Sequence, residues 1–181
     1  MRFPTSSSAQ HAPALAARWL KAAVLTLALA GCAGYGTSGV RVGQTADEVS
    51  ASMGAPTGRY AVDGGRTRLE FARGPAGRDT YMVDLDPQGK VERWEQVLDA
   101  EHFALVKLGM TSDELLKLLG RPNERRGAGL KGGQIWSWRY FNTDCLWAQV
   151  VVGTDGRVRE STSLGAEPQC ARNAPAPGAG A

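Results

Sequence analysis

The sequence predicts an α+β fold made of two tandem repeats, each with one or two short helices packed on a three-stranded antiparallel meander. Two observations lead to this fold class. The stretch GQTADEVSASMGAP at 43–56 returns as GMTSDELLKLLGRP at 109–122, with six of fourteen positions identical. Each copy is then followed by segments in which apolar and polar residues alternate, separated by turn residues, as is typical of antiparallel strands. We place the first repeat at 40–98 and the second at 99–165.

Residues 1–31 have the pattern of a signal peptide. Three Lys or Arg residues and no acidic residue precede Cys32, and the apolar run 22–31 is shorter than the roughly 20 residues that cross a bilayer. The residues Leu-Ala-Gly-Cys at 29–32 resemble the lipobox of bacterial lipoproteins. The resemblance implies cleavage between Gly31 and Cys32 and acyl chains on Cys32. The alternative is an ordinary signal peptide that is followed by a cysteine by chance.

The lipobox resemblance implies a membrane partner and a location. Acyl chains on Cys32 would anchor the chain stably, since two chains already suffice. Ala33, where an inner-membrane lipoprotein would carry aspartate, implies the outer membrane and a domain that faces the periplasm. Residues 32–39 are interpreted as the linker. Without residues 1–31 the chain has 18 basic and 18 acidic residues, and this balance disfavours a nucleic-acid partner.

Each repeat begins with a short helix whose two ends are marked in the sequence. A threonine followed three residues later by glutamate predicts a capping box, and a glycine with a proline two residues on predicts the end of the helix. A glycine two residues before the threonine completes the motif. These motif residues are Gly43, Thr45, Glu48, Gly54 and Pro56 in the first copy, and Gly109, Thr111, Glu114, Gly120 and Pro122 in the second.

Three strands follow each helix, with a turn before the last one. In the second repeat, Asp-Gly at 155–156 favours a tight hairpin. An additional helix is predicted over 99–109, with Phe103, Leu105, Val106 and Leu108 as its apolar face. The predicted strands are 64–72, 79–86 and 90–98 in the first repeat, and 133–141, 145–152 and 157–164 in the second.

Aromatic and arginine residues of the second repeat are the candidates for binding a partner. We assign Trp136 and Trp138 to the core by their alternation with polar residues, and leave open whether Trp147 is core or surface. Trp and Tyr dominate interface hot spots, so an exposed Trp147 would be a partner contact. Arg125 and Arg126 are predicted loop residues that would either bind a partner or simply be solvated.

Two cysteines remain besides Cys32. In an oxidising compartment an even pair favours a disulfide, here between Cys145 and Cys170, and two separate thiols are the alternative. The segment 166–181 has no hydrophobic periodicity and is predicted to be a disordered tail.

The segment LVKLGMTSDELLKLLGRPNE at 105–124, the following Trp-x-Trp-x-Tyr strand and GTDGRV at 153–158 resemble the SmpA/OmlA (BamE-like) domain of outer-membrane lipoproteins. The stretch 40–56 is a weaker second match. The resemblance implies a non-enzymatic protein-binding scaffold, an accessory of outer-membrane β-barrel assembly or envelope integrity. Two such domains in tandem also resemble the β-lactamase inhibitory protein, so a lipid-anchored inhibitor or ligand-binding module is the alternative.

The residues give little support to an enzyme, a metal or a cofactor. His102 is the one histidine after Cys32, and we interpret it as a surface residue rather than a catalytic base. Asp84 and Asp86 could imitate a metal pair, but we predict Asp84 on a solvent-facing strand edge and Asp86 at a turn. The glycine-rich stretch 127–133 lacks the Gly-Lys-Ser/Thr of a phosphate loop and is interpreted as a hairpin connection.

Overall fold

A computed structural model of the chain describes residues 39–168 and Cys170. The predicted signal peptide, the lipidation site at Cys32 and residues 171–181 lie outside the described residues. No helix in 39–168 combines the length and the apolarity that crossing a bilayer requires. The fold is α+β, as predicted, with two four-stranded antiparallel sheets and a few short helices.

The first half of the described chain forms one helix and one sheet. Helix α1 is followed by four strands that pair in chain order, so that each strand lies beside its sequence neighbour. A short 3₁₀ turn at Asp63–Gly65 joins the first two strands. The elements are α1 (Ala46–Met53), β1 (Gly58–Val62), β2 (Arg66–Ala72), β3 (Thr80–Leu85) and β4 (Val91–Gln96).

The second half repeats this order with one additional helix. The four strands again pair in chain order, and a 3₁₀ turn at Gly129–Lys131 again joins the first two. The elements are α2 (Ala100–Ala104), α3 (Ser112–Leu119), β5 (Glu124–Gly127), β6 (Gln134–Arg139), β7 (Leu146–Val152) and β8 (Val158–Ala166).

The helices and sheets stack in layers. Val49 and Met53 of α1 pack on one face of the first sheet, against residues such as Leu69 and Val83. The buried leucines of α3, Leu115 and Leu119, belong to a second cluster that joins the two sheets. Its other members include Met82, Val97 and Leu98 from the first half, and Trp136, Trp138, Ala148 and Val150 from the second sheet. Helix α3 therefore lies between the two sheets, and both contribute to its core.

The structure corrects the predicted meanders. Each sheet has four strands rather than three, because β1 and β5 add an edge strand before the three predicted ones. Both additions are short, and glycine and charged residues obscure the pattern of a strand in their sequences, although the burial of β1 does alternate.

The predicted helix over 99–109 is also corrected. Helix α2 covers only Ala100–Ala104, and the chain then turns towards Gly109, whose amide bonds the Val158 carbonyl. Of the four residues assigned to its apolar face, Phe103 and Val106 are buried. Leu105 and Leu108 are instead 52% and 67% exposed, because the shortened helix cannot turn them inward.

Candidate interaction surface

The capping boxes form at both helices, with nearly identical geometry. The Thr45 and Thr111 hydroxyls each accept a hydrogen bond from the glutamate amide three residues on, at 3.2 Å. The Glu48 and Glu114 carboxylates accept the threonine amides in return, at 2.6 and 2.7 Å. These backbone and side-chain hydrogen bonds lower the pKa of both carboxyls. The repeated motif therefore positions α1 and α3 in the same way on their sheets.

The strand registers show which residue pairs of the first sheet correspond to which pairs of the second. In the first sheet Glu70 lies opposite Met82 and Ala72 opposite Thr80. In the second sheet, Ser137 lies opposite Gln149, and Arg139 opposite Trp147. The face of the first sheet that contacts α3 thus corresponds to the face of the second sheet that points away from α3.

An ion-pair network lies on the α3-facing side of the first sheet. The Arg68 guanidinium bonds both Asp84 oxygens, at 2.6 and 2.8 Å, and Arg93 Nε bonds Asp84 at 2.7 Å. Arg68 also donates to the Lys117 carbonyl at 3.0 Å, which ties the sheet to α3. Burial alone would raise the Asp84 pKa, but the two arginines outweigh it and lower the value.

The position of Asp84 corrects the sequence prediction. It is only 5% exposed on the central strand β3, not on a solvent-facing edge. Arg68, Asp84 and Arg93 occupy opposite positions on three neighbouring strands, and their charges alternate. His102 extends the network, since its Nδ1 lies 2.8 Å from Asp99 and its Nε2 lies 3.7 Å from Glu95.

Glu70 is a buried carboxylate that the sequence analysis did not single out. It is fully enclosed and accepts hydrogen bonds from the Thr57 hydroxyl at 2.8 Å and the Tyr60 hydroxyl at 2.5 Å. Burial and the bond to Glu70 raise the pKa of the Tyr60 phenol, and the nearby Arg121 opposes that rise. Because Glu70 lies next to the Gly120 backbone, it belongs to the contact between the first sheet and α3.

A second buried ion cluster lies at the end of the second sheet. Glu167 forms an ion pair with Arg139, whose Nε lies 2.9 Å from its carboxylate, and accepts a hydrogen bond from Arg78 at 3.2 Å; only 3% of Glu167 is exposed. The Arg139 guanidinium also lies 5.1 Å from the centre of the Trp147 ring. Trp147 is 5% exposed, so the structure places it among buried residues rather than on a free surface.

The end of β8 is tied to the sheet as well. A disulfide joins Cys145 and Cys170, whose Cα atoms are 5.8 Å apart, and the Glu167 amide bonds the Cys145 carbonyl at 2.7 Å. The predicted tail therefore has an ordered beginning, because Ala166 completes β8 and Glu167 is held in the ion cluster.

The two candidate arginines lie on opposite faces of β5. Arg125 is opposite Trp136 and stacks on its ring, with the guanidinium 4.0 Å from the ring centre. Arg126 is opposite Ile135, on the face that also carries Trp147. All four residues of β5 are exposed, and they belong to an edge strand rather than to a loop.

Arg125 lines a cleft between the edge strands of the two sheets. The cleft has a volume of about 450 Å³, and three arginines and one acidic residue, Glu124, line it. The arginines are Arg59 at the start of β1, Arg121 just after α3, and Arg125 on β5. Arg59 and Arg125 are each the second residue of their edge strand, so this cationic position recurs in both halves. The sequence did not predict the cleft, because its walls are distant in the chain.

Comparisons with known proteins add little to this description. No protein-family model and no curated protein matches the chain. A cysteine-rich secretory protein from Staphylococcus aureus is similar over 72% of this chain and 44% of its own, with 14% identity and a TM-score of 0.27. A DUF4309 family protein from Bacillus subtilis is similar over 74% of this chain and 85% of its own, with 16% identity and a TM-score of 0.28. The chain spans less than half of the Staphylococcus aureus protein, and neither TM-score supports an argument about fold or function.

Proposed function

We propose that this protein is a lipid-anchored outer-membrane lipoprotein that binds other proteins and catalyses no reaction. In this proposal Cys32 carries the acyl chains, and two SmpA/OmlA-like units face the periplasm as an accessory of β-barrel assembly or envelope integrity. Each unit is a helix on the predicted meander, extended by the edge strand β1 or β5.

The layered packing of the two units is the observation that carries the proposal. The first sheet, α3 and the second sheet share contacts, from the Arg68 bond to Lys117 to the leucines buried between the sheets. Such an arrangement gives a rigid body on which exposed side chains keep fixed positions. Rigid, pre-organised surfaces favour binding, because less conformational freedom is lost on association.

The contacts of the charged side chains support the same proposal. Asp84, the candidate for a metal pair, is enclosed by Arg68 and Arg93. His102, the candidate base, is held by Asp99 at the start of α2. These groups hold elements of the fold together, and the exposed cations line the cleft between the edge strands.

The experiment is an affinity purification of the acylated, tagged protein from detergent extracts of its own envelope, with Cys32→Ala as the control. We expect barrel-assembly proteins to be recovered with the acylated chain and depleted with the control. Mass spectrometry of the processed chain would show its first residue. An unmodified Cys32 thiol or a different start site would remove the basis of the lipoprotein assignment.

The alternative, an inhibitor that resembles the β-lactamase inhibitory protein, is separated by the same extracts. It predicts recovery of one soluble periplasmic enzyme in place of barrel-assembly proteins, and loss of that enzyme's activity when the purified chain is added. Recovery of barrel-assembly proteins without any such inhibition would exclude it.

A further inference from the structure

We propose that the cleft formed by Arg59, Arg121 and Arg125 binds an extended acidic segment of a partner protein, which pairs with the free edge of β5. The inference deepens the proposed function and rests on it, since it names the chemistry of the segment that would be bound.

The charge of the cleft is the first argument. The side chains that line it include three exposed arginines, and Glu124 is the one acidic residue of the lining. Glu124 lies opposite Ser137 and Arg125 opposite Trp136, so their side chains leave β5 on opposite faces. By the same rule Arg59, opposite Leu69, leaves β1 on the face that packs on α1, so Arg121 and Arg125 carry the charge on the α3 side of the cleft. The buried Glu70 below the cleft already accepts bonds from Thr57 and Tyr60. An incoming carboxylate therefore meets a surplus of positive charge.

The geometry of Arg125 is the second argument. Its guanidinium stacks on the Trp136 ring at 4.0 Å, which holds the planar group in place while the edges of the plane stay exposed. Arginine binds carboxylates through two parallel hydrogen bonds, and a fixed guanidinium loses less freedom on binding them.

The backbone of β5 is the third argument. β5 pairs with β6 on one side only, and no strand of the described residues pairs with its other side. The Ala128 amide donates to the Gly133 carbonyl, on the side of β6. Along an antiparallel strand, successive backbone amides point alternately towards the neighbouring strand and away from it. Arg126 and Glu124 therefore direct their amides towards β6, whereas Arg125 and Gly127 direct theirs outward. An extended segment can add to this edge through main-chain hydrogen bonds.

The bound segment is a strand with acidic residues at every second position. Side chains on a strand alternate between faces, so acidic residues at every second position would all face Arg125 and the cleft. The intervening residues would face the side of Arg126 and need no charge. An acidic stretch without this alternation would bring only part of its charge to the cleft.

The test uses the full processed chain in zwitterionic detergent micelles and the peptide acetyl-Thr-Glu-Thr-Glu-Thr-amide. Binding is followed by NMR through the indole N–H signal of Trp136, which lies under Arg125. We expect saturable binding that weakens with added salt. The isomeric peptide with adjacent glutamates, and the peptide with lysine in place of glutamate, should bind at least about tenfold more weakly, the factor that one lost charge-assisted contact produces.

Variants separate the contribution of charge from that of the edge. Arg125→Gln and Arg121→Gln should each weaken binding about tenfold. Arg159→Gln is the matched control, because Arg159 is an exposed arginine on the far edge strand β8, paired with Asp155, and its loss should change binding less than twofold. Gly127→Pro keeps every charge but removes one outward amide, so it should also weaken binding. Circular dichroism would establish that each variant is folded.

Four outcomes would overturn the inference. Equal affinity for the alternating and the adjacent peptide would exclude strand addition. Unchanged affinity in both arginine variants would exclude the cleft. An Arg125-dependent response to phosphatidylglycerol in the micelles, without any response to the peptide, would assign the cleft to lipid. If the unmodified chain does not bind the peptide but the affinity purification still recovers envelope proteins, this inference is wrong and the proposed function stands.

Discussion

Replacing Gly120 by alanine tests how closely α3 approaches the first sheet. Gly120 follows the last residue of α3 with φ +74° and ψ −170°, a region that is open almost only to glycine. A methyl group there would lie 2.7 Å from Thr80 Cγ2 and 3.2 Å from both Glu70 Cδ and Met82 Cε. The substitution therefore adds backbone strain and a steric clash at once.

Gly54 separates these two contributions. It occupies the same place after α1, with φ 86° and ψ −178°, but a Cβ there would meet nothing within 4 Å. Both substitutions carry a strain of about 1–3 kcal/mol. Only Gly120→Ala adds overpacking, which costs about 1–3 kcal/mol further. We expect Gly120→Ala to lower the free energy of unfolding by about 2 kcal/mol more than Gly54→Ala.

Urea denaturation followed by tryptophan fluorescence measures this difference. With a slope of about 2 kcal/mol per molar urea, the midpoint of Gly120→Ala should lie about 1 M below that of Gly54→Ala. Thr80→Ser removes the nearest methyl group and should recover part of the loss in the double variant. Equal midpoints for the two glycine variants, or no recovery with serine, would show that α3 does not approach the first sheet as described.

The remaining predictions concern the buried ion pairs and the disulfide. Asp84→Asn should lower the free energy of unfolding by about 3–5 kcal/mol, because it leaves Arg68 without its buried partner, whereas Arg93→Ala, on a side chain 56% exposed, should cost at most about 1 kcal/mol. The folded-state pKa of Asp84 is below its ordinary value of 3.8, so its stabilisation is present above about pH 4 and is lost as the pH falls through the folded value. As the pH is lowered below about 4, the free energy of unfolding should therefore fall less steeply in Asp84→Asn than in the unmodified chain. Reduction of the Cys145–Cys170 disulfide, which closes a loop with a sequence separation of 25, should cost about 3 kcal/mol in urea denaturation; an unchanged midpoint after reduction would contradict this.

The helices that position the units were readable from sequence because their signals are local. Thr45 with Glu48, and Thr111 with Glu114, satisfy backbone groups within one turn of the same helix. Such signals do not depend on the rest of the fold. The assignment of Trp136 and Trp138 to the core was also possible, because strict alternation separates the two faces of a strand.

Contacts between distant parts of the chain could not be read in this way. Alternation shows that Asp84 and Val83 lie on opposite faces of β3, but not that both faces are covered. The polar face was therefore predicted to meet solvent, although α3 lies against part of it. The cleft could not be predicted for the same reason, since Arg59 and Arg121 line one cleft only when the two halves have packed together.

The two sheets differ most in what covers the face that α3 contacts in the first sheet and that points away from α3 in the second. Ala72 and Thr80 in the first sheet are small, and Gly120 at the end of α3 approaches Thr80 closely. The corresponding residues of the second sheet, Arg139 and Trp147, are large and lie against each other, and Glu167 forms an ion pair with Arg139. A helix that approached the second sheet as α3 approaches the first would collide with the Trp147 ring. In the second sheet this face is closed by Arg139, Trp147 and Glu167, which are all buried, whereas the arginines of the cleft are exposed.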